Sequence, residues 1–178
     1  MKDHVDADPF DFPRNGVFWA SDTALVIIDM QHDFCSPGGY WQAIGGDPAV
    51  LRAPVHSARR ALLAARAAGL HFIHTRVGRR ADVIDATPEG RRHAQPEGGG
   101  NAGPLGRHLV RGEPGWQIVE ELTPEPGETV IDKPGTGAFH ATELDHVLRA
   151  WRPEHRRLWC HHGDLRLDHG ARGVRPWL

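Results

Sequence analysis

The run Ala24-Leu25-Val26-Ile27-Ile28 follows Thr23 without a break and stops at Asp29. An unbroken apolar run of this length predicts a parallel strand buried on both faces. Pro37-Gly38-Gly39 then marks a loop, and Pro48 to Ala68 places Val50, Leu51, Val55, Leu62 and Leu63 among alanines and arginines. That pattern predicts an amphipathic helix, stopped by Gly69. Leu70 to Thr75 reads as a second short strand, so the chain opens as strand, helix, strand. Residues 77 to 107 are rich in Gly, Pro and Arg without a sustained period, the mark of a long loop. Trp116 to Leu122 reads as a helical turn, Thr129 to Asp132 as a third strand ending at Lys133, and Thr142 to Leu148 as the start of a helix. Thr142 can cap that helix, and Asp145 lies in its first turn. After Ala150 the alternation stops: Trp151, Pro153, His161-His162, Arg166, Arg172 and Pro176 follow, and no apolar strand is expected there.

The expectation is one domain over residues 1–150, a parallel α/β sheet, with residues 151–178 as an irregular tail. With 178 residues the chain is long enough for one core. Its 39% hydrophobic and 25% charged residues sit near the globular norm. A formal net charge of -2 supplies no basic field for nucleic acid or an anionic membrane. The acidic opening Asp3, Asp6, Asp8, Asp11 lacks the pattern of a secretory leader, and no apolar run is long enough to span a bilayer. With only 2 cysteines, Cys35 and Cys160, a cytoplasmic location is expected.

Ligands of open parallel sheets sit at the carboxyl ends of strands, where this sequence places Asp29 and Lys133. A buried lysine beside an aspartate would hold the carboxylate ionised and ready as a general base for a thiol. Two charges that merely end strands and meet solvent are the common alternative, and spacing alone does not decide between them. Cys160, His161, His162 and His169 offer zinc-type donor atoms, but adjacent side chains rarely converge on one ion, and no metal is expected. Cys35, beyond the first strand, is read as a buried structural residue rather than a nucleophile.

Four separated motifs narrow the reading. Leu25 to Phe34 (LVIIDMQHDF) with Pro37-Gly38-Gly39 resembles the entry motif of isochorismatase-like cysteine hydrolases. Asp6-Ala7-Asp8-Pro9, Arg111-Gly112-Glu113-Pro114-Gly115-Trp116 and Ile131-Asp132-Lys133-Pro134-Gly135 are similar to the biuret hydrolases among them. The resemblance covers about residues 6 to 150. It implies a three-layer, Rossmann-like α/β/α fold with six parallel strands, here cut short after about three. It also implies hydrolysis of a C–N bond in a small amide or ureide through a catalytic Asp, Lys and Cys, with no cofactor and a homo-oligomeric assembly. Asp29 matches the base, Lys133 the lysine, and Phe34 a wall of the substrate pocket. The family cysteine follows Gly-Val-Thr-Thr at the start of the helix after the fourth strand, and neither Cys35 nor Cys160 stands in that context.

Read one nucleotide later, permitted codons for residues 150 to 173 spell Gly-Val-Thr-Thr and a cysteine whose codon straddles those of Leu165 and Arg166. Some positions leave little choice: Trp159-Cys160 forces Gly and then Val or Ala, and His161-His162 allows Thr or Ile and then Thr or Met. The expectation is a frameshift near Ala150. Two readings follow, a cysteine amidohydrolase whose nucleophile is missing here, or an inactive remnant.

Overall fold

A computed structural model describes residues 20–85, 102–151 and 157–161, the last as backbone. The Asp6 to Pro9 motif, residues 86–101 of the long loop, and His162 and His169 lie outside the described residues.

Strand β1, Thr23–Ile28, is buried at every position. Short helices α1, His32–Cys35, and α2, Tyr40–Ala43, follow, then α3, Pro48–Arg52, and α4, Val55–Ala68. The single helix expected from Pro48 to Ala68 is therefore two. Pro54 stands between them, and a proline inside a helix lacks the N–H of the ladder and crowds the preceding turn. Asp47 caps α3 by accepting from the Ala49 N–H at 2.9 Å. Gly69 ends α4 at φ 72°, the left-handed conformation that a residue with a Cβ adopts only at a cost.

Strand β2, His71–Val77, runs two residues past the predicted end. The long loop contains a small hairpin of β3, Ala102–Gly103, and β4, Gly106–Arg107. The turn expected at Trp116 to Leu122 is two 3-10 turns, Pro114–Trp116 and Glu120–Leu122. Between them Gln31 bridges Ile118, and the Val119 N–H donates to Met30 O at 2.9 Å. The backbone there is occupied by the segment after β1, so one continuous helix cannot form. Strand β5, Thr129–Lys133, takes Lys133 into the sheet, and helix α5, Leu144–Trp151, completes the second layer. As expected, Thr142 caps α5: its hydroxyl accepts from the Leu144 N–H at 3.3 Å.

One expectation is corrected. The tail, expected to be irregular, contributes strand β6, Arg157–His161, which pairs parallel with β1 on the side away from β2. Leu158-Trp159-Cys160 is too short an apolar run to stand out between Arg157 and His161. What fixes it as a strand is the edge of β1, whose backbone groups need partners on both sides.

The sheet order is β5-β2-β1-β6, all pairs parallel. Leu25 and Ile27 of β1 pack with Phe72 against Val55, Ala58, Leu62 and Ala65 of α4. Ala24, Val26 and Ile28 pack with Ile73 and Ile131 against Leu144 and Leu148 of α5. This is the α/β/α layering the sequence implied. The chain proceeds outward from β1 through β2 to β5 and then returns to β6 on the other side. The order of connection thus reverses beside β1, the position where open α/β sheets hold their ligands.

Candidate active site

Asp29 is the first residue past β1, and its φ of 49° is positive. In extended backbone successive side chains alternate, so Asp29 would follow Ile27 onto the α4 face. The left-handed turn breaks that alternation. The carboxylate instead meets Thr75 and Lys133, which share their strands' alternation with Ile73 and Ile131 of the α5 face. The Asp29 N–H donates to Thr75 O at 3.1 Å, and Asp29 O accepts from the Gln31 N–H at 2.8 Å.

Lys133 enters from β5, two strands from β1, a separation of about 10 Å that its long stem spans. Its Nζ lies 2.6 Å from Asp29 Oδ2 and donates to Gly135 O at 3.1 Å and Thr136 O at 3.0 Å. All three Nζ donors therefore have acceptors, which is what a polar group only 1% exposed requires. The Thr75 hydroxyl donates to Asp29 Oδ1 at 2.7 Å. Each carboxylate oxygen thus has one fixed donor, while the Asp29 side chain keeps 20% of its surface open. The structure brings the two sequence-predicted residues together as a direct ion pair.

Phe34 stands elsewhere in its contacts. It is half-buried against the α4-side core, and its ring meets Tyr40 edge-on at 6.2 Å.

Residues that sequence reasoning passed over hold the site in shape. Gln31, wholly buried, donates to Val77 O at 3.0 Å and Trp116 O at 2.8 Å and accepts from the Val77 N–H at 2.8 Å. It fastens the turn after β1 to the end of β2. Asp33, also wholly buried, accepts from the Tyr40 N–H at 3.1 Å and the Leu109 N–H at 2.7 Å. Burial pushes its carboxyl upward against these two bonds. Gly115 must lack a side chain, because a Cβ there would stand 2.6 Å from Asp33 Oδ1. Arg76 makes a two-pronged pair with Asp132 at 2.7 and 3.1 Å and lies 3.7 Å over the Trp116 ring. The Arg111 and Ile131 motifs are thereby joined through β2. The one sequence signal that covers Gln31 and Asp33 is their place inside the Leu25 to Phe34 motif.

Cys35 does not meet Asp29, and the backbone of Cys160 stands back from it. Cys35 is 2% exposed in the α4-side core, its thiol directed to Leu51 O at 3.6 Å, and burial pushes that thiol up to about 11. Almost no thiolate exists at neutral pH, so Cys35 in the folded chain will resist a neutral thiol reagent at pH 7.5 and react once urea unfolds it. Peptide mapping after labelling checks this, and rapid native labelling of Cys35 would refute it. Cys160 pairs in register with Val26, three residues before Asp29, or about 10 Å short of it along the sheet. The zinc alternative involving Cys160 and its neighbouring histidines rests on side chains outside those described. Among the described residues, no helix is long and apolar enough to cross a membrane.

Comparison with known proteins identifies the family and the fold. An isochorismatase domain model matches residues 23–155. Ureidoacrylate amidohydrolase RutB of Yersinia enterocolitica is 33% identical over 149 residues, covering 78% of this chain and 62% of the relative. RutB of Serratia proteamaculans is 31% identical over 148 residues, covering 80% and 60%. The chain thus spans about three-fifths of the length of these curated relatives. Among solved structures, an isochorismatase family protein from Desulfovibrio vulgaris superposes with a TM-score of 0.57 at 34% identity, over 73% of this chain and 62% of that one. N-carbamoylsarcosine amidase from Thermoplasma acidophilum gives 0.53 at 26% identity, over 78% and 66%. The ion pair at the sheet's switch point is carried by a chain that belongs to the isochorismatase family of hydrolases.

Proposed function

We propose that this chain carries the acid–base half of a cysteine hydrolase that cleaves a C–N bond in a small ureide or amide such as biuret, and that it lacks the nucleophile. The observation that carries the reading is the 2.6 Å Lys133–Asp29 pair at the switch point of the sheet. In the complete reaction Asp29 takes the proton of a cysteine thiol as the sulfur attacks the substrate carbonyl. The C–N bond then breaks, Asp29 returns the proton to the leaving nitrogen, and ammonia departs from an acyl-thioester. Water attacks the thioester with Asp29 again as base, releasing the acid and restoring the thiol. Lys133 orients Asp29 throughout and supplies the countercharge whenever the carboxylate is free of its proton. Phe34 is proposed as a wall of the pocket. The ureide class is supported by the relatives' names, which specify a ureido and an N-carbamoyl group.

A second reading, that the chain is an inactive remnant, is favoured by the burial of Cys35 and the register of Cys160. Both readings are served by a frameshift near Ala150. The test is ammonia release from biuret by the purified chain, beside a version in which residues from Ala150 onward are read one nucleotide later. The chain as written is expected to release none, and the reframed version to turn over. Turnover by the chain as written, abolished in Cys160→Ala or Cys35→Ala, would establish a nucleophile of its own. Silence from a folded reframed version would end the hydrolase proposal.

A further inference from the structure

We propose that Thr75 is a positioning residue for Asp29, an inference that rests on reading Asp29 as the base. Thr75 touches Asp29 twice. Its hydroxyl donates to Oδ1 at 2.7 Å, and its carbonyl accepts from the Asp29 N–H at 3.1 Å. Lys133 holds the other oxygen. With one donor on each oxygen the carboxylate cannot turn about its Cβ–Cγ bond, and each oxygen keeps a lone pair free to receive a proton.

Thr75 is well placed to impose an orientation rather than follow one. It is 1% exposed on β2, a strand paired on both sides, with Ile28 and Ile131 as its register partners. Its branched Cβ leaves the side chain few rotamers. Its same-face neighbours Ile73 and Ile131 are apolar and wholly buried. Valine fills the same space, so packing alone does not call for a hydroxyl, and a buried hydroxyl is costly without a partner. Asp29 is that partner. The positive φ of Asp29 is also an unfavourable backbone state for a residue with a side chain, one that persists where surrounding contacts over-determine it. Thr75 supplies two of those contacts.

The test uses NMR of the full chain with labelled Asp, Thr and Lys, the Asp29 signal being assigned by its loss in Asp29→Asn. A slowly exchanging Thr75 hydroxyl proton coupled to Asp29 Cγ is expected in the unsubstituted chain. Thr75→Val should lose that signal and move both the Asp29 Cγ and Lys133 Nζ resonances, while Thr75→Ser should restore all three. A residue that only stabilises the strand would lower the melting temperature and leave the Asp29 and Lys133 resonances in place, which would overturn the proposal. Should Thr75→Val fail to fold, the direct hydroxyl coupling and Thr75→Ser still decide: absence of that coupling in the folded chain refutes the role. None of these spectra depends on turnover, so the outcome stands apart from the ammonia assay that judges the hydrolase reading.

Discussion

Lys133→Met will destabilise the chain by about 3 kcal/mol, the low end of the cost of breaking a buried ion pair. The substitution removes a cation that is only 1% exposed and bonded to Asp29 Oδ2, Gly135 O and Thr136 O. Two carbonyls lose their donor, and a carboxylate loses its countercharge. The low end applies because the Asp29 side chain keeps 20% of its surface and can recover some water. Methionine matches the length of the stem, so the loss reports on charge and hydrogen bonds more than on a cavity. Adding Asp29→Asn to Lys133→Met should recover about 1 kcal/mol or more, since the second change removes the charge left unpaired. Urea unfolding of the unsubstituted chain, Lys133→Met, Asp29→Asn and the double variant measures both terms. A Lys133→Met midpoint equal to that of the unsubstituted chain would mean the pair contributes nothing to the fold. A double variant no better than the single would mean the Asp29 charge is already solvated.

How much of this was legible beforehand differs from element to element for physical reasons. Strand β1 was readable because a strand buried on both faces leaves an uninterrupted apolar run and the charge that stops it is conspicuous, whereas β2, interrupted by His74 and Arg76, runs two residues past its predicted end. Asp29 and Lys133 were found on that basis and through their motifs. Their contact stood only as an alternative to two solvated charges, because it depends on a left-handed backbone turn at Asp29 that no residue type announces. Thr75 was hidden for a related cause: threonine is an ordinary strand residue, and its hydroxyl becomes informative only when its partner comes from another strand. Gln31 bonds across 46 and 85 positions, beyond the reach of any local pattern. Pro54 was visible and should have divided the helix, but the alanine-rich surroundings outweighed it. Strand β6 was missed because an edge in need of a partner can recruit three apolar residues that do not declare themselves.

The chain will also lose stability in acid through a second buried cluster, on the α4 side of the sheet. Glu128 accepts from Arg66 Nε at 2.7 Å and Arg66 Nη2 at 2.9 Å, from the Glu125 N–H at 2.9 Å, and pairs with His74 Nε2 at 2.9 Å. Burial alone would raise this carboxyl. The Arg66 hydrogen bonds, the Glu125 N–H and His74 overcome it and lower the pKa from 4.5 to about 2. A carboxylate held below its unfolded value stabilises the fold fully above pH 4.5, and that contribution disappears as pH falls through about 2. The displacement corresponds to about 3 kcal/mol at most, and to about 2 kcal/mol after allowance for solvent screening. His74 acts in the same direction, since burial pushes it below 6.5, so its contribution is complete above that pH and declines as acid charges it. Asp33 opposes both: burial raises its carboxyl, so its contribution is present below 3.8 and is lost as pH rises through its folded value. Glu128→Gln is therefore expected to lower stability by about 2 kcal/mol at pH 7 and to flatten the fall between pH 5 and about pH 2. Urea midpoints for the two proteins across that range decide it. Parallel curves would show that the acid sensitivity comes from elsewhere, and a variant as stable as the original at pH 7 would show that the Arg66–Glu128–His74 cluster barely repays the burial of its charges.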